Sequence, residues 1–144
     1  MRVYLDNCCF NRPYDEQTQL KIRLETQSKL NIQKLVLDGK IELVWSFAIS
    51  YENAMNPFVE KRIQIAEWRK MATIDCGLTD EISEKSKELM KRGLRLKDSY
   101  HVACAIYSNA DYFITTDKGI LNKNISDIRI INPVDFVFLT EGSI

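Results

Sequence analysis

Residues 97–117 read KDSYHVACAIYSNADYFITTD, and this stretch decides the fold class. Residues 97–109 predict a helix whose small side chains allow close approach to a sheet, and residues 111–115 predict a strand. Asp98 opens the helix and Asp117 follows the strand. Right-handed crossovers in a parallel sheet bring helix starts and strand ends to one edge, so we expect both acids there.

The alternation of strands and helices extends over the rest of the chain. It predicts a three-layer α/β/α fold with a mostly parallel central sheet flanked by helices. We expect a single domain at residues 1–144, with a core at about 2–131 and a C-terminal edge segment at 132–144. The other predicted strands are residues 2–6, 41–45, 72–75, 127–131 and an edge strand at 136–139; the other predicted helices are 17–37, 47–55, 58–70, 79–92 and 117–121.

Some details of these helices are also predicted. Ser46 and Thr79 stand where a hydroxyl caps a helix start. Pro13 marks a loop after the first strand. Helical spacing predicts a packed face on helix 17–37 that is formed by Leu20, Leu24, Ile32 and Leu35.

Composition excludes several classes of protein. The chain has 144 residues, 45% of them hydrophobic and 28% charged, which is unlike a disordered chain. Twenty basic and twenty acidic residues give zero formal net charge, so any nucleic-acid contact must use a local patch. No apolar run approaches the ~20 residues of a membrane helix, and no signal-peptide pattern is present. The four cysteines form no Cys-x-x-Cys pair, so we expect free thiols in a cytoplasmic protein.

Four acids from distant parts of the chain are expected at the carboxyl edge of the sheet. Asp6 ends the first strand, Glu52 lies in the second turn of the helix after strand 41–45, and Asp98 and Asp117 join them. Two like charges ~6 Å apart repel by roughly 3 kcal/mol at an effective dielectric of 20. Such a cluster must therefore protonate in part, pair with basic side chains or hold a cation. Oxygen ligands favour the hard ions Mg²⁺ and Mn²⁺.

Four segments carry a family resemblance: YLDN at 4–7, SYE at 50–52, KDSYHVACA at 97–105 and DYFITTD at 111–117. They resemble the PIN-domain nucleases, many of which are prokaryotic toxins of the VapC type. The resemblance spans residues 2–131. It implies an endoribonuclease that depends on Mg²⁺ or Mn²⁺. It also implies a toxin–antitoxin pair, with an antitoxin partner and a homodimer. The family's acidic metal positions are matched by Asp6, Glu52, Asp98 and Asp117.

The chain departs from the family pattern directly after the first acid. Asn7 stands where the family often has a hydroxyl residue, and the pair Cys8-Cys9 is unusual there. These changes concern the fine geometry of the site and leave all four carboxylates in place.

Basic residues near the acids predict contacts with the RNA backbone, since phosphate charge carries most nonspecific affinity. A solvated helix end explains part of the basic run 87–97 equally well. His101, three residues after Asp98, could touch a phosphate or a base, but a packed or half-exposed helix residue is expected. The residues predicted to contact nucleic acid are Arg12, Arg95, Lys97 and Lys118.

The sequence alone leaves three alternatives to a metal-dependent nuclease open. Taken singly, Asp98 and Asp117 are ordinary helix-start acids, worth ~0.3–1 kcal/mol each. A phosphohydrolase with an aspartyl nucleophile would need an Asp-x-Asp pair, which Cys8 breaks. A catalytically silent PIN-like module that binds RNA or protein would keep the fold without cleavage.

Overall fold

The computed structural model describes residues 1–142 and has a five-stranded sheet between layers of helices. Residues 143–144, the end of the predicted segment 132–144, lie outside the described residues. The strands are β1 (Arg2–Leu5), β2 (Glu42–Ser46), β3 (Ile74–Cys76), β4 (Tyr112–Ile114) and β5 (Arg129–Ile131). The helices are α1 (Asn7–Asn11), α2 (Leu20–Leu37), α3 (Phe47–Ala54), α4 (Val59–Glu67), α5 (Asp80–Lys91), α6 (Leu96–Tyr107), α7 (Lys118–Leu121) and α8 (Pro133–Thr140), with short 3₁₀ turns at Arg12–Tyr14 and Trp68–Met71.

The sheet has the strand order β3-β2-β1-β4-β5, and all four neighbouring pairs are parallel. The carboxyl ends of all five strands therefore lie at one edge. β1 is the central strand, so Asp6, the residue after it, stands in the middle of that edge. The predicted α/β/α class and the parallel sheet are confirmed.

Alternate side chains of the strands face two different helical layers, as the period of two requires. On one face, Tyr4 stacks on Phe113 with ring centroids 5.2 Å apart and bonds to His101 of α6, which packs beside α5. On the other face, Tyr112 packs edge-on against Phe136 of α8, which lies beside α2. The core thus sits on both faces, and the carboxyl edge is left for polar side chains.

The predicted caps of two helices are confirmed. The Ser46 hydroxyl accepts from the backbone N–H of Ile49, and the Thr79 hydroxyl accepts from that of Ile82, both at 3.2 Å. Each bond satisfies a helix-start donor that would otherwise lack a partner. Within residues 1–142, no helix has the length and apolar character needed to cross a membrane.

The predicted edge strand at 136–139 is wrong, because this segment belongs to helix α8. Asn132 caps the helix by accepting from the Asp135 N–H at 2.8 Å, and Pro133 occupies the first turn. A capping Asn followed by Pro is a helix-start signal that outweighs the apolar run after it. Phe136 is fully buried against the sheet.

Two details near the amino terminus also differ from expectation. Residues 7–11, predicted as loop, form the short helix α1, which Asp6 caps by accepting from the Asn7 N–H. In α2, Leu20 and Leu24 are exposed, whereas Glu25 is buried. The reason is the ion pair of Glu25 with Arg12 at 3.0 Å, which turns a polar side of the helix inward.

Candidate active site

Asp6 and Asp117 are held together by one hydroxyl at the carboxyl edge. The Thr115 side chain donates to Asp6 Oδ2 at 2.8 Å and accepts from the Asp117 backbone N–H at 3.0 Å. Asp117 Oδ1 also accepts from the Gly119 N–H at 2.7 Å and so caps α7. Thr115, directly after β4, therefore fixes the Asp6 carboxylate and the Asp117 backbone, and the start of α7 orients the Asp117 carboxylate.

Asp98 lies in the first turn of α6 and is only 5% exposed, like Asp6. Burial raises the pKa of the Asp98 carboxyl, and the negative charges of Asp6 and Asp117 raise it further. Arg95 and Lys97 oppose this effect only in part. Three carboxylates from β1, α6 and the end of β4 thus act on one another through space.

Glu52 reaches the same edge from α3, where a buried histidine orients it. His101 Nε2 lies 3.1 Å from Glu52 Oε2, and Lys97 Nζ lies 2.9 Å from Glu52 Oε1. Burial alone would raise the pKa of Glu52, but the hydrogen bonds from His101 and Lys97 lower it below its ordinary value. Glu52 is therefore an ionised carboxylate with a fixed orientation.

His101 is completely buried and belongs to a chain of hydrogen bonds. Its Nδ1 lies 2.6 Å from the Tyr4 hydroxyl, which lies 2.6 Å from Ser46 Oγ. Because an ionised carboxylate can only accept, Nε2 donates to Glu52, and the Tyr4 hydroxyl donates to Nδ1 when the ring is neutral. Burial alone would lower the pKa of His101, but the Glu52 hydrogen bond and the nearby acids raise it.

Two basic side chains pair with the acids from the solvent side. Arg95 contacts Asp98 at 3.4 Å and Asp117 at 3.5 Å, and Lys97 pairs with Glu52. The carboxylates of Asp6, Glu52, Asp98 and Asp117 form what we call the acid cluster. They outnumber these basic side chains. Four acids against two permanent cations leave two negative charges when all four acids are ionised, and one negative charge when His101 is protonated as well.

The donor set fits a hard divalent cation. One ligand atom each from Asp6, Glu52 and His101 lie within 4.8 Å of one another, and oxygen donors predominate around them. Both ring nitrogens of His101 already have partners, so its geometry suits orienting Glu52 rather than binding an ion itself. Beside Asp6, the buried Asn7 Oδ1 has no hydrogen-bond partner. An excess of negative charge and carboxylate oxygens match the ligand chemistry of Mg²⁺ and Mn²⁺.

The unusual cysteine after Asp6 lies within this site. Cys8 Sγ lies 3.5 Å from Asp6 Oδ2 and 3.4 Å from Thr115 Oγ1. It also accepts from the Thr116 N–H at 3.4 Å. The thiol therefore contacts the polar groups that position Asp6.

The residues predicted to contact nucleic acid fall into two groups. Arg95, Lys97 and Lys118 are exposed at the carboxyl edge. Arg12 is partly buried and pairs with Glu25, with Asp15 at 2.7 Å and with Thr116 at 3.1 Å. Its guanidinium thus links α2 to the loop after β4. The other three cations are exposed, although Arg95 and Lys97 also pair with acids of the site.

Sequence reasoning missed the residues that orient the acids. Tyr4 stands two residues before Asp6, the spacing of side chains on one strand face. Thr115 stands two residues before Asp117, in the turn that follows β4. His101 was expected to be packed, which is confirmed, but its bond to Glu52 was not expected. The one-turn spacing from Asp98 to His101 is the signal that could have suggested it.

Comparisons with known proteins agree with this fold. The family model described as PIN domain matches residues 3–125. Among solved structures, a chain of VapBC2 from Rickettsia felis, bound to a DNA fragment from its promoter, superposes with a TM-score of 0.57. The two chains are 14% identical, and the match covers 92% of this chain and 98% of that chain, so it shows a shared fold. No curated protein sequence matches the chain.

Proposed function

This chain belongs to the PIN-domain family, and we propose that it is a divalent-metal-dependent endoribonuclease that hydrolyses RNA phosphodiester bonds at the acid cluster. The observation that carries the proposal is the meeting of four carboxylates from four distant segments, which outnumber the basic side chains paired with them. A structural role for each acid alone does not explain this excess, because like charges in a partly buried cluster destabilise the fold.

We assign the metal positions to Asp6, Glu52, Asp98 and Asp117, with Mg²⁺ or Mn²⁺ as the ion. When bound, such an ion acidifies a water molecule and stabilises charge on the phosphate oxygens. Thr115 fixes the Asp6 carboxylate and the backbone of Asp117 before substrate binds, and the Gly119 N–H orients the Asp117 carboxylate. Glu52, held at Oε2 by His101, is oriented to bind the ion or to accept a hydrogen bond from the attacking water.

Arg95, Lys97 and Lys118 would bind phosphates of the RNA on either side of the cleaved bond. Arg95 and Lys97 then exchange carboxylate partners for phosphate oxygens, since both are exposed and flexible side chains. Arg12 belongs to the same proposal, although its ion pairs with Glu25 and Asp15 leave it less free.

The family resemblance extends the proposal to a toxin–antitoxin pair. A protein antitoxin would bind this chain, and two copies would form a homodimer. The fold shared with a chain of VapBC2 supports the antitoxin partner for the present chain. Light scattering of the purified protein, alone and with the product of an adjacent small reading frame, tests both assemblies.

Cleavage of a mixed RNA pool tests the enzyme proposal. The purified protein is incubated with Mn²⁺, Mg²⁺ or a chelator, beside Asp6→Asn and Asp98→Asn. The matched control is Asp111→Asn, because Asp111 lies at the opposite edge of the sheet, where it accepts from the Arg2 N–H. We expect metal-dependent cleavage that falls more than about 100-fold in the first two variants and persists in the control.

Two outcomes contradict the proposal. Equal cleavage by all four proteins means that the activity comes from a contaminant. No cleavage of any RNA, in a protein that Mn²⁺ nevertheless stabilises, favours the silent binding module instead.

A further inference from the structure

A polar pocket of about 290 Å³ lies beside the acid cluster. Glu52 lines it, and so does Asn7, the residue that follows Asp6. The pocket therefore shares one carboxylate with the acid cluster and adjoins a second. Ligand pockets usually measure about 300–1,000 Å³, so this one suits a single small group, such as one base of a nucleic acid.

Three asparagine side chains form a row along this pocket. Asn11 Nδ2 donates to the backbone carbonyl of Asn7 at 3.1 Å. Asn56 Nδ2 donates to Asn11 Oδ1 at 3.3 Å, and Asn56 Oδ1 accepts from the backbone N–H of Phe58 at 3.1 Å. The row thus begins beside Asp6 and ends at Phe58, the residue before α4.

Asn7, at the end of the row nearest the acid cluster, has an acceptor without a donor. Asn7 is only 7% exposed, and its Oδ1 has no hydrogen-bond partner within residues 1–142. A buried polar atom without a partner costs about 1–3 kcal/mol. A ligand that brings an N–H group would remove this cost. Each of the four RNA bases has an N–H or NH₂ group on its Watson–Crick edge, which is free when the base is unpaired.

The other end of the row has a positive charge beside two aromatic rings. Lys61 Nζ lies 4.2 Å from the centroid of the Phe58 ring and 5.6 Å from that of Tyr14, so both rings hold the ammonium group in place. Within the described residues Lys61 forms no ion pair, whereas Asp15 and Glu52, the acids of the pocket, are both paired with basic side chains. Lys61 is therefore the cation of this pocket that is available to a phosphate.

We propose that the pocket binds one unpaired nucleotide of the RNA next to the cleaved phosphate, with its base at the Asn7 side chain and a phosphate at Lys61. Because RNA is taken as the ligand, this proposal rests on the proposed function. A side-chain amide offers one donor and one acceptor and so distinguishes bases, whereas a lysine bound to a phosphate does not. Asn7 would therefore give the site a base preference, and Lys61 would add affinity for any sequence.

Binding of short RNA oligonucleotides in the presence of a chelator tests the pocket without cleavage. Fluorescein-labelled pentamers of A, of C and of U, and the pentamer GUGUG, are titrated with the whole protein at low salt. Fluorescence anisotropy gives the dissociation constants. We expect the wild-type protein to prefer one pentamer by at least about 10-fold. Asn7→Leu, which is similar in size but has no polar side-chain atom, should abolish this preference.

Lys61→Met should change a different quantity. It should weaken the binding of all four pentamers by a similar factor, and the slope of log Kd against log salt concentration should fall by about 0.7, the value for one phosphate of a single strand. The matched control is Lys70→Met, because Lys70 lies beyond the other end of α4 and pairs with Glu67. This control should change neither the affinities nor the slope, and circular dichroism checks that all three variants fold.

Equal affinity of the wild-type protein for all four pentamers would overturn the proposal, as would a base preference that Asn7→Leu retains or a salt slope that Lys61→Met leaves unchanged. The wild-type comparison needs no variant, so it holds even if Asn7→Leu is unstable. Cleavage of the RNA pool with metal is measured separately. A protein that cleaves RNA without the base preference keeps the nuclease assignment and loses the pocket. A preference that depends on Asn7 in a protein without cleavage supports the pocket and contradicts the nuclease assignment.

Discussion

The acid cluster and a second group of charged side chains differ in their numbers of acidic and basic residues. The surface cluster has two acids and two bases: Lys85 and Glu88 of α5, Arg92 directly after α5, and Asp127 before β5. Arg92 pairs with both Glu88 and Asp127, and Lys85 also pairs with Asp127. The acid cluster instead has four carboxylates against Arg95 and Lys97.

The difference in balance separates a structural group of charges from one suited to a ligand. The surface cluster neutralises itself, so it joins α5 to β5 and has no charge left to attract an ion. The acid cluster is more deeply buried and retains negative charge, which raises the pKa of Asp98 through burial and through Asp6 and Asp117. Four predictions test whether this contrast is real.

The largest expected effect is stabilisation by metal. Mn²⁺ at 100 times its dissociation constant should stabilise the wild-type protein by about 2.7 kcal/mol, because the ion binds only the folded state. Asp98→Asn should lose most of this gain, whereas Asp127→Asn should keep it. The measurement is the melting temperature in a titration with Mn²⁺. Equal stabilisation of both variants would show that the acid cluster does not hold the ion.

Replacing the buried histidine should produce the second largest effect. His101→Ala removes the partner of both Tyr4 and Glu52, and leaving such buried groups unpaired should lower the free energy of unfolding by about 2 kcal/mol. Urea denaturation measures the loss. The dissociation constant for Mn²⁺ should also rise about 10-fold, since His101 orients Glu52. His101→Gln, which keeps an amide donor, should lose less; an unchanged metal affinity in His101→Ala would rule out the orienting role.

Removing one carboxylate from the acid cluster should have a smaller effect, and it should stabilise the folded protein when no metal is present. In the presence of a chelator, Asp98→Asn should unfold at a higher urea concentration than the wild type, by on the order of 1 kcal/mol, because one like charge is removed. The Asp111→Asn variant at the opposite edge serves as control and should show no gain. A chelated Asp98→Asn protein less stable than wild type would mean that Arg95 and Lys97 already balance the acids.

The smallest effect should appear in the surface cluster and depend on pH. Hydrogen bonds from Arg92 and then Lys85 hold the pKa of Asp127 at about 2. A carboxyl with a lowered pKa stabilises the folded state above its unfolded value of about 4, and this stability is lost as the pH falls towards 2. Asp127→Asn should therefore cost less than about 1 kcal/mol at pH 6, because solvent screens these charges. Urea denaturation between pH 6 and pH 3 should show the difference from wild type shrinking, and a growing difference would contradict the assignment.

The sequence was sufficient to predict a parallel sheet and the edge of it at which the four acids lie, but it gave no strand order and one strand too many, at 136–139. Strand ends in a parallel sheet share one edge whatever the details of packing, so Asp6 and Asp117 could be placed from the order of elements alone. Asp98 followed from the same rule, since α6 begins at that edge. Their roles as metal ligands stay predictions.

The orientation of helices about their own axes could not be predicted in the same way. The buried side of α2 is set by the ion pair of Glu25 with Arg12. Hydrophobic periodicity counts only apolar residues, so it gives no sign of this contact. The bond between His101 and Glu52 likewise depends on how α3 and α6 pack against each other. Such polar contacts over long sequence distances have no local signal.

The C-terminal error has a local cause and could have been avoided. The apolar run at 136–139 suits a strand or a helix equally well, and periodicity cannot separate the two in so short a segment. Asn132 and Pro133, a few residues before it, favour a helix start. Greater weight on the cap would have predicted α8 correctly.

Both outer strands of the sheet, β3 and β5, are only three residues long. Long, flat edge strands are templates on which other chains add strands and aggregate, and short ones offer few free backbone groups. Arg129 on β5 and Asp75 on β3 add charge to these borders. The sheet is therefore protected against growth from either side, and any assembly of this chain with another protein should form through helix surfaces instead of through strand addition.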